Sequence, residues 1–238
     1  MSFLVLYVNF FLFLTVFVIA LTRNSNFNTV LVGFIYLIPL IPFGLNPAHM
    51  DRFLLVSYFN LIFGSIEMVV FVLTVKPGDT PFDKDHFKQL FGHTLPIAIA
   101  LLGLSFLGRF NEIPVSKLEL WVIVSLFTFG AIMRIVAIYQ IGAVAFKFDI
   151  VFRQEQKLKT DQLYGLMRHP SYTAMMLVVI SFAVITHSLI FGILGVVCAW
   201  VGFQYRIYYE EKGLADQFGA EYEVFRSSKG MWLPRITQ

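Results

Sequence analysis

Residues 171–205 read SYTAMMLVVISFAVITHSLIFGILGVVCAWVGFQY and contain no Asp, Glu, Lys or Arg. As one α-helix this stretch would run about 52 Å, against a hydrocarbon layer about 30 Å thick. It is too long for one crossing. Thr186-His187-Ser188 interrupt the apolar run near its middle, so the stretch predicts two helices folded back on each other there. Chain inside lipid must satisfy its own backbone polar groups, and a helix does so within one segment.

Further largely apolar blocks lie upstream. They cover 2–22, 28–50, 53–75, 91–108 and 118–146, with Pro39, Pro42 and Pro47 near the exit of the second. Glu67 interrupts the third block and Arg134 the fifth. The first has no basic leader and no small-residue cleavage site, and so reads as a retained span. Between the third and fourth, 76–90 carries Lys76, Asp79, Asp83, Lys84, Asp85 and Lys88 beside Pro77-Gly78 and Pro81, and reads as a loop. Composition agrees. Of 238 residues 58% are hydrophobic and 14% charged, where a soluble domain carries about a quarter charged. Such a chain cannot cover itself in water, which excludes a cytosolic enzyme, a disordered chain and a secreted disulfide scaffold. Cys198, the single cysteine, can form neither an internal bridge nor a thiolate metal cluster. The net charge of +3 comes with no basic run suited to nucleic acid. The fold class is all-α: a polytopic membrane bundle of about five spans plus a C-terminal hairpin.

Basic residues set the expected orientation. With the spans threaded in order, Arg52, Arg109 and Lys117 fall on the side of the N-terminus and Arg134 lies inside a span. The rest of the 18 basic residues fall on the other side. Lys and Arg mark cytoplasmic loops, so the N-terminus is expected outside and the charged segments 147–170 and 206–238 in the cytoplasm. Trp121 and Trp200 fall near the expected interfaces, where indoles commonly sit. Glu67 and Arg134 come out at similar depths. Charges stranded within spans usually face a partner or a wet cavity, so the two are expected to face the interior and to pair or border a cavity. The alternative is that Arg134 snorkels alone to the headgroups.

The two charged segments flank the hairpin and must meet if it folds back. The first contains LYGLMRHPSY at 163–172. Pro170 suits the first position of a helix, which makes His169 the cap and predicts a helix start that attracts a carboxylate or phosphate. Headgroup anchoring by Arg168 and His169 is the plainer reading of the same residues. The second segment opens with RIYYEEKGL at 206–214. Arg206 and Glu210, four apart, share a helix face and offer a cation and a carboxylate at the membrane boundary.

LYGLMRHPSY, an apolar hairpin, RIYYEEKGL, FGAEYEVF at 218–225 and Leu233-Pro234 follow in that order. This series resembles the isoprenylcysteine carboxyl methyltransferase family of integral membrane enzymes, and more loosely the phospholipid methyltransferases. The resemblance covers roughly the last 90 residues. It implies a methyl transfer from S-adenosylmethionine, taken from the cytosol, to a lipophilic acceptor drawn from the bilayer, such as the carboxylate of a prenylated cysteine. It implies a transmembrane bundle over 1–146 and a catalytic region over 147–238. By matching position it assigns Gln156, Lys157, Leu158, Lys159, Tyr164, His169, Pro170, Ser171, Tyr172 and Glu210 to the cofactor, and Arg206 to the acceptor and catalysis. The cofactor's ammonium and sulfonium suit a carboxylate and aromatic faces. Two positions depart from the family pattern: Ala174 and Gln162 stand where glycine is usual.

A sterol-type membrane reductase using NADPH shares an Arg-His-Pro-x-Tyr element, and Lys157 and Lys159 could serve its extra phosphate. A non-catalytic scaffold or transporter is the third class, although transporter sites lie at mid-depth while the polar residues here gather at one boundary. The membrane is expected to be the cell membrane or the endoplasmic reticulum. His49, His86 and His93 have no metal-ligand spacing and receive no role, His187 is expected at the far interface, and Cys198 reads as a small packing residue. No metal site is expected.

Overall fold

The computed structural model describes residues 2–23, 30, 50–74, 88–142 and 157–235. Expectations for the block 28–50, for most of the loop 76–90, for His49, His86 and for Gln156 therefore lie outside the described residues.

The elements of the described chain are all helices, with one isolated bridge between Met167 and Gly230. Helix α1 (Ser2–Arg23) is followed by α2 (Met50–Thr74). A single π turn, Leu90–Thr94, runs directly into α3 (Leu95–Arg109). Then come α4 (Lys117–Ile141), the short α5 (Gln162–Leu166), α6 (Pro170–Ile185), α7 (Leu189–Phe218) and α8 (Ala220–Ser228). The segments Leu90–Arg109, Lys117–Ile141 and Leu189–Phe218 are long and apolar enough to cross a membrane. The hairpin forms where the sequence places it, with Thr186 and His187 turning between α6 and α7. Two expected boundaries move. Lys88 and Gln89 are helical, so the loop ends before them, and α4 stops at Ile141 because Gly142 adopts φ +80, a conformation suited to glycine.

Between helices in lipid there is little hydrophobic driving force, so small residues and hydrogen bonds do the joining. Gly130 on α4 lies against the carbonyl of Ala174 on α6; a Cβ at Gly130 would come within 2.8 Å of it. The glycine on the facing helix thus supplies the close approach that Ala174, itself fully buried, leaves open. Gly195 on α7 likewise receives Leu104 of α3. Asn9 on α1 donates to the carbonyl of Ser57 on α2 at 2.6 Å. In the centre Phe59 stacks on Phe127 at 3.7 Å, with Phe182 edge-on to both.

One end of the bundle is locked by Arg52. Its guanidinium grips both carboxylate oxygens of Glu119 at 2.7 and 2.9 Å and donates to the carbonyl of Ile185 at the end of α6. Glu119 also closes the start of α4, as its amide N–H donates to Ser116 Oγ and its carboxylate accepts from Ser116 N, a reciprocal cap. His187 lies 3.3 Å from the same carboxylate. The opposite end of α6 and α7 carries the remaining polar cluster. Helix α7, with 30 residues, is about 45 Å long. That is longer than a hydrocarbon layer of about 30 Å, and Arg206, Glu210 and Glu211 lie beyond its apolar run.

Candidate functional site

Pro170 occupies the first turn of α6 and His169 its cap, without a side-chain capping bond. Fewer backbone donors are on offer here than the sequence suggests. The N–H groups of Arg168 and His169 donate to the carbonyls of Gly230 and Met231 at 2.9 and 3.1 Å, and those of Tyr172 and Thr173 return to His169 O. The C-terminal strap is held further by Thr173 Oγ1, which donates to Trp232 O at 2.7 Å. Phe203 meets the Trp232 ring at 6.1 Å. The site is therefore built mainly from side chains.

Glu210 and Glu211 organise it. The Glu210 carboxylate accepts from the hydroxyl of Tyr172 and from Arg206 Nε, the latter at 2.9 Å. Arg206 lies over the Tyr172 ring, its Cζ 5.7 Å from the centroid, so one tyrosine steadies both charges. Glu211 turns to His169 Nε2 at 3.0 Å and Arg168 Nη1 at 2.7 Å, with Arg226 Nε at 3.6 Å. The second nitrogen of His169, Nδ1, is 3.9 Å from Glu210, so the imidazole lies between the two acids and is hydrogen-bonded to Glu211. Glu211 is 10% exposed and Glu210 24%. An ionised carboxylate accepts about four hydrogen bonds, so Glu210 retains capacity for a further cationic donor, such as the ammonium of S-adenosylmethionine. The donor set fits that cofactor.

The residues expected at the cofactor divide. His169, Pro170, Ser171, Tyr172 and Glu210 come together around the start of α6, and Arg206 joins them. Ser171 Oγ accepts from Arg134 Nη1, whose Nε and Nη2 hold both oxygens of Glu67 at 2.7 and 2.9 Å. The interior pair expected from the sequence forms, and it abuts the site. Tyr164 on α5 is buried and its hydroxyl faces Ala137 O at 3.4 Å. Burial pushes its phenol well above the usual range, against the pull of Arg134 and with the help of Glu210, so it stays neutral. Lys157 and Leu158 precede it in the loop, and Lys159 pairs with Asp161 at 2.8 Å, which holds that exposed carboxyl below its usual range. Gln162 adopts φ +54, the left-handed conformation that explains why glycine suits this position.

Three residues take roles that the sequence reading did not give them. Arg168 and Glu211 form an ion pair, legible only as two charges in separate segments. His93, given no role, presents Nε2 to Arg206 Nη1 at 2.9 Å; no motif or spacing marks it. Among the described residues no cluster of His, Cys, Asp or Glu could hold a metal.

A multi-span helical bundle of this kind is an integral membrane protein, here with an acid–guanidinium–phenol cluster at one end of its hairpin. The sequence model of the isoprenylcysteine carboxyl methyltransferase family matches residues 121–216, the stretch that holds Arg134, Arg168, His169, Tyr172, Arg206, Glu210 and Glu211. Protein-S-isoprenylcysteine O-methyltransferase A of Arabidopsis thaliana is 31% identical over 144 residues, covering 59% of this chain and 73% of its own. This chain belongs to the isoprenylcysteine carboxyl methyltransferase family. The B protein of Arabidopsis thaliana is 30% identical over 131 residues, or 53% of this chain, and the chain spans 66% of its length. For a probable protein-S-isoprenylcysteine O-methyltransferase of Oryza sativa subsp. indica the identity is 30% over 108 residues, 45% of this chain and 56% of that protein. The fold is shared with a solved eukaryotic intramembrane Ras methyltransferase, at a TM-score of 0.51 and 18% identity over 87% of this chain and 75% of that one.

Proposed function

We propose that this chain transfers a methyl group from S-adenosylmethionine to a lipophilic acceptor, the carboxylate of a prenylated cysteine, at the cytoplasmic boundary of its membrane. The reading rests on one observation above the others: Glu210, Tyr172 and Arg206 form a single contact network where α7 leaves its apolar run. When bound, the cofactor supplies an electrophilic methyl carbon. Glu210 takes the ammonium through its remaining acceptor capacity, with Tyr172 fixing the carboxylate's orientation. By resemblance to the family, Gln156, Lys157, Leu158, Lys159 and Tyr164 would also contact this cofactor, with 147–238 as the catalytic region and 1–146 as the transmembrane bundle. Arg206 holds the acceptor's carboxylate by charge. A carboxylate is already a nucleophile, so no general base is required. Bringing the two reactants together in a water-poor boundary contributes most of the rate, and good alignment alone is worth about 7–11 kcal/mol.

Calorimetric titration of the detergent-purified chain with S-adenosylmethionine and with NADPH, followed by label transfer from the methyl donor to a prenylcysteine, tests this reading. Binding of the methyl donor and label in the acceptor are expected. Preference for NADPH by a folded sample, or absence of transfer, overturns it.

A further inference from the structure

His93 sits inside the π turn Leu90–Thr94, a widened turn of a kind that recurs at functional sites. The turn lies flush against α7. A Cβ at Gly202 would come within 3.0 Å of the His93 carbonyl oxygen, and one at Gly92 within 2.5 Å of the Tyr205 ring. Two glycines thus bring the imidazole up to the acceptor-side arginine. Nε2 of His93 lies 2.9 Å from Arg206 Nη1, and Nδ1 lies 3.2 Å from the carbonyl oxygen of Gly202. A guanidinium can only donate, so Nε2 must accept. The ring proton therefore resides on Nδ1, where it faces an acceptor. Both contacts are satisfied by the neutral ring alone.

We propose that His93 is a positioning residue that holds Arg206 without neutralising it, so that the guanidinium's charge is kept for an anionic acceptor. This rests on the acceptor role given to Arg206 above. Glu210, a second hydrogen-bond partner of Arg206, is an anion and competes with an acceptor's carboxylate for the same charge. A neutral imidazole fixes the geometry and leaves the charge available. Glu210 can then turn to a cationic ligand while Arg206 stays in place. The consequence is selectivity: the site should prefer a prenylated cysteine with a free carboxylate over its methyl ester, and that preference should depend on His93.

The test measures binding of an N-acetyl-S-prenylcysteine acid, its methyl ester and S-adenosylmethionine to the full-length protein in detergent, for the wild type and for His93→Gln, His93→Ala and His93→Glu. The glutamine amide can accept from Arg206 and donate to Gly202, and should keep the preference for the acid. Alanine removes the contact, and glutamate keeps a hydrogen bond but cancels the charge. Both should raise the Kd of the acid about tenfold, the effect of one charge-assisted hydrogen bond. Binding of the ester and of the cofactor should stay unchanged. Three results would each overturn the proposal: a glutamate variant that binds the acid like the wild type, equal loss of acid and ester, or a wild type indifferent between them. The readout is separate from turnover. A wild type that shows the preference but transfers no methyl group refutes the activity and leaves the role of His93 standing.

Discussion

Glu210 and Glu211 stand side by side on α7 and turn to different partners, and their variants should fail in different ways. Glu210 remains the more exposed and holds Tyr172 and Arg206. Glu210→Gln should weaken cofactor binding by about 1.5–3 kcal/mol, the worth of a charge-assisted contact to an ammonium, with little change in melting temperature. Arg206→Ala should spare cofactor affinity and raise the acceptor KM. Equal effects of both variants on cofactor binding alone would refute the division of roles. Glu211, by contrast, ties Arg168 and His169 in a buried ion pair. Removing one partner of such a pair leaves the other charge stranded, typically at a cost of about 3–5 kcal/mol. Glu211→Ala should therefore show first as a lower unfolding temperature, in the absence of any ligand.

At the scale of elements, α5 and the α4–α6 contact carry the two departures from the family pattern. Gln162 opens α5 at φ +54, a conformation that costs an L-residue about 1–2 kcal/mol relative to the right-handed helix. Gln162→Gly removes that strain and adds unfolded-chain entropy of about 0.5–1 kcal/mol, so thermal stability should change little. Gln162→Val should lower it by more than 1 kcal/mol, roughly, since a β-branched residue tolerates positive φ least. Matching melting curves for the two variants would contradict the observed turn. At the other departure, Ala174 is accommodated because Gly130 faces it. Gly130→Leu should push α4 from α6 and, through Arg134 and Ser171, disturb the start of α6.

Across the whole molecule, two buried arginines fasten the two ends. Arg52 binds Glu119 and the end of α6 at one end, and Arg134 binds Glu67 and Ser171 towards the other. Through them α2 and α4 are joined to the hairpin of α6 and α7. Glu67→Ala should destabilise the protein by about 3–5 kcal/mol, because Arg134 would be left without its carboxylate in the interior. Glu67→Ala combined with Arg134→Met should recover part of that loss, read as a positive coupling in a double-mutant cycle of detergent unfolding. A double variant no more stable than the worse single one would argue against the pair.

The sequence by itself determined that helices lie within the blocks 2–22, 53–75, 91–108 and 118–146, that a hairpin turns at Thr186-His187-Ser188, and that Glu67 and Arg134 called for a partner, a wet cavity or a route to the headgroups. These follow from transfer free energies, which belong to a segment and its own residues. The motif LYGLMRHPSY and the pair Arg206 and Glu210 were legible for a similar reason, since their residues are neighbours in the chain. The reciprocal cap of Ser116 and Glu119 is equally local, although the reading of the sequence passed over it. Only the tertiary structure decided that His93 meets Arg206 across 113 positions, that Glu211 gathers Arg168 and His169, and that the C-terminal strap takes the N–H groups of Arg168 and His169 just before α6. Helices in lipid associate through side-chain fit and a few hydrogen bonds, worth little each and without periodic signature. Which faces meet is therefore settled by the packing of the whole bundle.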